Sequence, residues 1–182
     1  MGQIKRLSDI GRSLSGEFNL EALLEMIVDE ARTFTNADGG TLYILDGNTL
    51  CFKIVQNDTL KIRMGGVKGA AITFPPLEMK HSNVSAYVAM TGELVNIPDV
   101  YDYKPFDFTG PRNFDAKTGY RTKSMLVVPM KDHSEKVIGV LQLLNAKDPN
   151  HKNQVTAFST DYENLVQSLA AHGFPQAVLT GW

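Results

Sequence analysis

"FDAKTGYRTKSMLVVPMKDHSEKVIGVLQLLN", residues 114–145, changes character twice. Through Lys123 it is polar and rich in turn formers. "SMLVVPM" (124–130) and "KVIGVLQLLN" (136–145) are then apolar on successive residues, as in strands covered on both faces, and "KDHSE" between them reads as a hairpin connection. Pro129 cannot donate to a ladder, so a bulge or a local edge is expected there. Strict alternation puts Val137, Gly139, Leu141 and Leu143 on one face, and Ile138, Val140, Gln142 and Leu144 on the other. Gln142 is then an amide within an apolar strand. An amide buried without partners costs roughly 1–3 kcal/mol. It either meets polar neighbours or faces a hollow that holds water or ligand, and the sequence leaves both readings open. Asp115, Thr118 and Thr122 stand just ahead of the neighbouring strand. They are expected to form a polar lid over an apolar, strand-floored pocket suited to a small flat ligand with a few polar edges.

Upstream, Leu20, Leu23, Leu24, Ile27, Val28 and Ala31 make one apolar helical face, with Asn19 as N-cap and "NADGG" (36–40) as the stop. The period then drops to two. "TLYILD" (41–46), Gly47-Asn48 and "TLCFKIV" (49–55) read as a hairpin, and "DTLKIRM" (58–64) as a weaker strand. Residues 65–71 are a glycine-rich loop. "NVSAYVAM" (83–90) is a short helix closed by Gly92, and "LVNIP" (94–98) a short strand. Residues 99–113 form a long polar-aromatic excursion, whose tyrosines and phenylalanines favour packing over disorder. Phe158, Tyr162, Leu165, Val166 and Leu169 mark a last helix, ended by Gly173 and Pro175. A short helix is also expected around Ile4, Leu7, Ile10 and Leu14, too short to stand alone in water. Successive hairpins between terminal helices imply an antiparallel sheet with the helices on one face, an α+β domain.

The chain has 182 residues, which favours one domain large enough to bury a core without staples. A net charge of −2 gives no basic footprint for nucleic acid. The single cysteine, Cys51, rules out an internal disulfide and a cysteine-rich zinc site; it reads as a small core residue, and a reducing, cytoplasmic setting is the expectation. No apolar run reaches membrane-spanning length and no signal peptide opens the chain. The four histidines, His81, His133, His151 and His172, stand at no ligand spacing, so no metal site is expected. There is no GxGxxG, P-loop, GxSxG or CxxC pattern. No nucleophile, base and oxyanion donor assemble, so this chain is not expected to be an enzyme.

"NVSAYVAMTGELVNIPDVY" (83–101), with "FDAKTGYRTKSMLVVPM" and "VIGVLQLLNA" (137–146), resembles the GAF domain family. The flavour is that of GAF domains fused to bacterial HD-GYP metal-dependent phosphohydrolases, and is similar to those of cyclic-nucleotide phosphodiesterases and adenylate cyclases. The resemblance implies a central antiparallel sheet of about six strands, terminal helices behind it and a ligand pocket in front. It implies a linker or dimerisation helix over 1–18, a GAF domain over 19–172 and an atypical tail over 173–182. It further implies a non-catalytic, small-molecule-sensing module of a bacterial signalling protein. Such a module forms a homodimer through its terminal helices and serves a fused output domain, of HD-GYP or cyclase type, missing from this chain. The ligand class implied is a cyclic nucleotide or another small metabolite. Matching ligand positions are Thr41, Val55, Gln56, Val84, Ser85, Asp115, Thr118, Thr122 and Gln142. A motif of Asn, Lys, Phe and Asp maps to Asn145, Lys147, Phe158 and Asp161, with Ala146 where the Lys is expected and Lys147 one place late. Cys51, in an early strand, does not suit a covalent bilin, and one cysteine cannot support the disulfide cycle of GAF-type reductases. A structural dimerisation module that kept the fold and lost the pocket is the alternative.

Overall fold

Asn19 starts the first helix, α1 (Leu20–Thr35), by accepting a hydrogen bond from the Ala22 N–H at 3.0 Å. Asn36 ends it in the left-handed region, φ 56°. The computed structural model describes residues 19–172; the helix expected around Ile4–Leu14 and the tail from Gly173 lie outside them. Only Asn36 of "NADGG" acts as a stop. Strand β1 (Ala37–Asp46) begins four residues ahead of the expected one, and its glycines serve packing rather than a turn. A Cβ on Gly40 would come within 3.0 Å of Val28 Cγ1 and 3.2 Å of Arg32 Cδ, so a hydrogen there is what lets α1 lie against the strand.

A two-residue turn with Gly47 at φ 58° joins β1 to β2 (Thr49–Asn57). The weaker strand shrinks to β3 (Ile62–Met64), and β4 (Leu77–Glu78) pairs with the other end of β2. Helix α2 (Val84–Thr91) and β5 (Val95–Ile97) follow. The closing hairpin is β6 (Met125–Lys131) and β7 (Val137–Asp148); β8 (Gln154–Thr156) pairs with the end of β7, and α4 (Asp161–His172) completes the fold. The sheet is antiparallel, in the order β3-β2-β1-β7-β6-β5. This is the α+β architecture expected, with two short strands beyond the main path.

Helices α1 and α4 cover one face, over a core that includes Leu23, Ile27, Leu42, Leu126, Leu141 and Val166. On the other face Tyr43, Leu50, Val88, Ile97, Val127 and Val140 pack together. Cys51 is half-buried rather than a core residue. Phe158, just ahead of α4, and Val166 and Leu169 within it face the core, but Leu165 is 38% exposed, outside the stripe assigned to it. The face assignment along β7 also needs one correction. Met130 pairs with Gly139 and Lys131 with Val137, which leaves Ile138 as an extra residue. This bulge flips the start of the strand, so Val137 joins the pocket-side cluster and Ile138 the helix-side one. Pro129 lies two residues beyond Val127, the last position of β6 paired to β5, and so occupies the expected local edge.

The polar-aromatic excursion contains two elements that periodicity missed: a 3-10 turn at Val100–Asp102 and a helix, α3 (Thr109–Thr118). Gly110 and Pro111 hide the helix from a propensity reading, although Pro is tolerated in a first turn. Its place is set by tertiary contacts. The Asp115 carboxylate accepts from the Tyr101 hydroxyl (2.7 Å), the Thr122 N–H (2.9 Å) and the Thr122 hydroxyl (2.8 Å).

Residues 120–124, which carry the chain from α3 into β6, are tied to a kink in β7. Asn145 stands there at φ 54° and is buried. Its Oδ1 accepts from the Lys123 N–H (2.6 Å) and Ser124 N–H (3.2 Å); its Nδ2 donates to the Tyr120 hydroxyl (2.9 Å) and Arg121 carbonyl (2.8 Å). Every hydrogen-bonding capacity of one amide is thus used, and the left-handed backbone suits Asn better than most residues. Tyr120 in turn donates to buried Asp38 (2.6 Å), which also accepts from Thr59 (2.6 Å) and Lys147 (3.1 Å). Burial by itself would raise the Asp38 carboxyl, but these three hydrogen bonds and the Lys147 charge outweigh it and hold the group below its ordinary value.

Asn145→Ala removes four hydrogen bonds and strains the kink, so chemical denaturation should show a loss of about 2–4 kcal/mol. Asn145→Gly, which keeps the backbone conformation, should recover about 1 kcal/mol of that loss. Asp38 supplies stability above the ordinary carboxyl value of 3.8, lost as pH falls through its lower folded-state value. The stability gap between the parent and Asp38→Asn should therefore be full at neutral pH and shrink in the acid limb. A pH-independent gap would contradict the ion-pair account.

Candidate ligand-binding site

A hollow of about 290 Å³ lies against the sheet face opposite α1 and α4. Its floor is built on β1, β2 and β7, with Thr41, Val55, Gln142 and Leu144 on it; Thr41 stands directly between Val55 and Gln142 in register. Asn83, Val84 and Ser85 at the start of α2 form one wall, and Phe52 and Phe74, whose rings are 5.1 Å apart, another. Phe108, Gly110, Pro111 and Phe114 bring the start of α3 over the top. Most of this surface is apolar, which suits the flat part of a small molecule.

The Gln142 amide is held by one end. Its Oε1 accepts from the Tyr43 hydroxyl at 3.2 Å and the Ser85 hydroxyl at 3.0 Å. Tyr43 reaches it from β1 and Ser85 from the first turn of α2. Asn83 caps that helix by accepting from the Ala86 N–H at 3.1 Å, and so fixes Ser85 over β7. Burial pushes the Tyr43 phenol well above its ordinary range, against a smaller lowering by the Ser85 hydrogen bond, so it stays a neutral donor at any physiological pH. Both readings left open for Gln142 therefore apply at once. Its oxygen is satisfied by neighbours, and the residue lines a hollow. Its partners are Tyr43 and Ser85.

Thr41, Val55, Val84, Ser85, Thr122 and Gln142 all stand in the lining. Gln56 stands there too, but its side chain leaves the other way. It pairs with Gly40, on the α1 side of the sheet, and its Oε1 accepts from Arg32 at 2.8 Å. Asp115 and Thr118 lie outside the lining. Asp115 is buried as the strut beneath α3, and the Thr118 hydroxyl donates to the Phe114 carbonyl of its own helix at 2.8 Å. The expected polar lid is thus an aromatic one, latched by a carboxylate behind it. The latch has a second part: the Arg121 guanidinium sits 4.0 Å from the Tyr101 ring centre and pairs with Asp99 at 3.0 Å. Asn145 and Lys147 belong to the kink described above, Phe158 to the helix-side core, and Asp161 to the exposed first turn of α4. Sequence reasoning missed Tyr43, Phe52, Phe74, Phe108 and Phe114. The aromatic density of 101–108 was the visible signal for the covering segment, but alternation alone could not separate pocket wall from core.

Among the described residues, no group of three or more His, Cys, Asp or Glu side chains could hold a metal ion, and no His or Cys lines the hollow. No described helix is long and apolar enough to cross a membrane. The arrangement can hold a molecule.

A family model described as GAF domain matches residues 19–172. The chain is 27% identical over 158 residues to a Drosophila melanogaster protein named dual 3',5'-cyclic-AMP and -GMP phosphodiesterase 11, a match covering 75% of this chain and 10% of that protein. It is 28% identical over 148 residues to a Caenorhabditis elegans protein named probable 3',5'-cyclic phosphodiesterase pde-5, covering 78% of this chain and 19% of that one. The chain thus spans less than about a fifth of the length of these relatives. In three dimensions it is similar to the GAF domain of an Acinetobacter phosphoenolpyruvate-protein phosphotransferase, with a TM-score of 0.65 and 18% identity over 100% of this chain and 94% of that one, a likeness of fold.

Tyr43→Phe and Ser85→Ala each leave Gln142 Oε1 with one donor, whereas the double variant orphans it. Each single change should cost about 1 kcal/mol or less, and the pair should exceed their sum by about 1 kcal/mol in denaturant unfolding. Strict additivity would show that the two hydroxyls do not share the amide.

Proposed function

The chain belongs to the GAF domain family, and from that premise we propose that it is a non-catalytic regulatory module that senses a small molecule in the hollow beneath α3. The observation that carries the reading is the make-up of that hollow: an apolar, aromatic-walled space with the Gln142 amide on its floor, fixed at its oxygen end. A space lined for packing alone has no use for such a residue. Occupancy would hold α3 and the 101–122 segment in place and shift the packing of the sheet against α1 and α4, which biases an output domain joined to the same chain. On this reading the parent protein is a cytoplasmic bacterial signalling enzyme of the HD-GYP phosphohydrolase or cyclase type, and the module works as a homodimer. The relatives named as cyclic-nucleotide phosphodiesterases bring cyclic nucleotides among the ligands to be tried, beside other small metabolites.

Titration calorimetry with cyclic nucleotides, nucleosides, nucleobases and amino-acid metabolites tests the reading, with Val55→Trp as the blocked control, because the larger ring fills the floor. At least one ligand should bind the parent and raise its melting temperature, and the control should lose both effects. A full panel without a Val55→Trp-sensitive signal would overturn it. A second reading, a scaffold that only dimerises, draws on the exposed Leu165 of α4. It calls for concentration-dependent stability by sedimentation, no ligand response, and loss of association in Leu165→Glu.

A further inference from the structure

Charge is distributed unevenly around the hollow. Among the described residues that line it there is no Lys, Arg or His, and the single ionisable carboxylate is Asp107. The three arginines adjacent in sequence to lining residues are engaged elsewhere. Arg121 stands over the Tyr101 ring and pairs with Asp99. Arg63 donates to Glu25 and Asp29 on the α1 side of the sheet, at 2.9 Å each. Arg112 also stands over the Tyr101 ring, 5.2 Å from its centre. The start of α3 is partly used: Asp107 Oδ1 accepts from the Thr109 N–H at 2.9 Å and the Thr109 hydroxyl at 2.6 Å, and Pro111 has no N–H to give. What the lining offers a ligand is donor capacity at the Gln142 Nε2 and at the Val84 and Ser85 N–H groups of the start of α2, acceptor capacity at Asp107, and aromatic wall.

We infer that the hollow takes an uncharged planar aromatic or heteroaromatic ligand, with an acceptor edge toward Gln142 and a donor edge toward Asp107, and discriminates against phosphate- or sulfonate-bearing ones. The inference rests on the sensing reading above and narrows its ligand class. An anion placed there gives up its hydration without a cationic side chain in the lining to pair with and stands near a carboxylate, whereas a neutral ring buries against Phe52, Phe74 and Phe114 without that cost. The hollow of about 290 Å³ has room for a bicyclic or tricyclic ring system.

Two fluorescent probes that differ by one sulfonate test this directly: N-phenyl-1-naphthylamine, which is neutral, and 8-anilino-1-naphthalenesulfonate. In equilibrium titrations the neutral probe should reach half-saturation at a concentration at least about tenfold lower, a difference of about 1.4 kcal/mol. Its blue-shifted emission should vanish in Val55→Trp. Val55→Lys, which supplies a cation at the half-buried floor, should narrow or reverse the preference, while Arg112→Ala should leave it unchanged. Tight, Val55→Trp-sensitive binding of the sulfonate by the parent would overturn the charge assignment and leave the sensing reading standing. A sulfonate preference lost in Arg112→Ala would overturn it as well, by showing that this arginine swings in. Absence of signal from both probes would overturn the assignment, and the sensing reading then stands or falls with the calorimetric panel.

Discussion

One amide holds the site together. Asn145 bends β7 in a left-handed conformation and uses both ends of its side chain to bind the strap from Tyr120 to Ser124. The bend releases β7 from β6, so that its last residues pair with β8 instead. The strap carries Thr122 to the hollow and, through Asp115, carries α3 above it. Asp38, Thr59 and Lys147 brace the same point from behind through Tyr120. A change at Asn145 therefore bears on the roof of the hollow without touching its floor. Asn145 and Lys147, which the sequence resemblance mapped to a motif, stand here in the architecture, with Asp38 within reach of Lys147.

The hollow depends on unequal treatment of the two sheet faces. Aliphatic side chains of β1, β6 and β7 pack under α1 and α4 on one side, because two long helices lie against it. The other side is covered by an eight-residue helix, by α3 and by loops, which cannot follow the sheet closely along its whole length. The space left over is bounded by aromatic rings and floored by Thr41 and Gln142, so it remains open where the far side does not. Strand β2 connects the two sides. Its Val55 faces the hollow while Gln56 reaches Arg32, which also donates to the Ala37 and Asp38 carbonyls and pairs with Asp58. On the proposed sensing reading, a ligand that bears on β2 acts on α1 through one side chain.

Much of the fold was legible because its signals are local. Apolar runs in β6 and β7, the Gly47-Asn48 turn, the Asn19 and Asn83 caps and the α1 stripe each depend on neighbours in sequence. What was not legible depends on distant partners. Gly39 and Gly40 read as turn formers, yet close approach of α1 is what requires Gly40. The helix at Thr109–Thr118 has little apolar periodicity and is held by Asp115 from within. The Ile138 bulge, a matter of pairing, reverses the faces of two residues that alternation had placed. At the site, Gln142 stood out because an amide among aliphatic residues is conspicuous in any sequence. Its partners Tyr43 and Ser85, 99 and 57 residues away, could come only from the fold. The acid and hydroxyls ahead of β6 stood out equally, but Asp115 and Thr118 satisfy one another's segment rather than a ligand.

Xenon binding in crystals of the chain tests the central claim most directly, since the gas enters apolar cavities and displaces little. The account predicts xenon density between Val55, Leu144 and Phe114, with the Gln142 oxygen still bonded to Tyr43 and Ser85. Continuous protein density through that space, with the aromatic side chains of α3 packed onto the floor and no xenon site there, would contradict it.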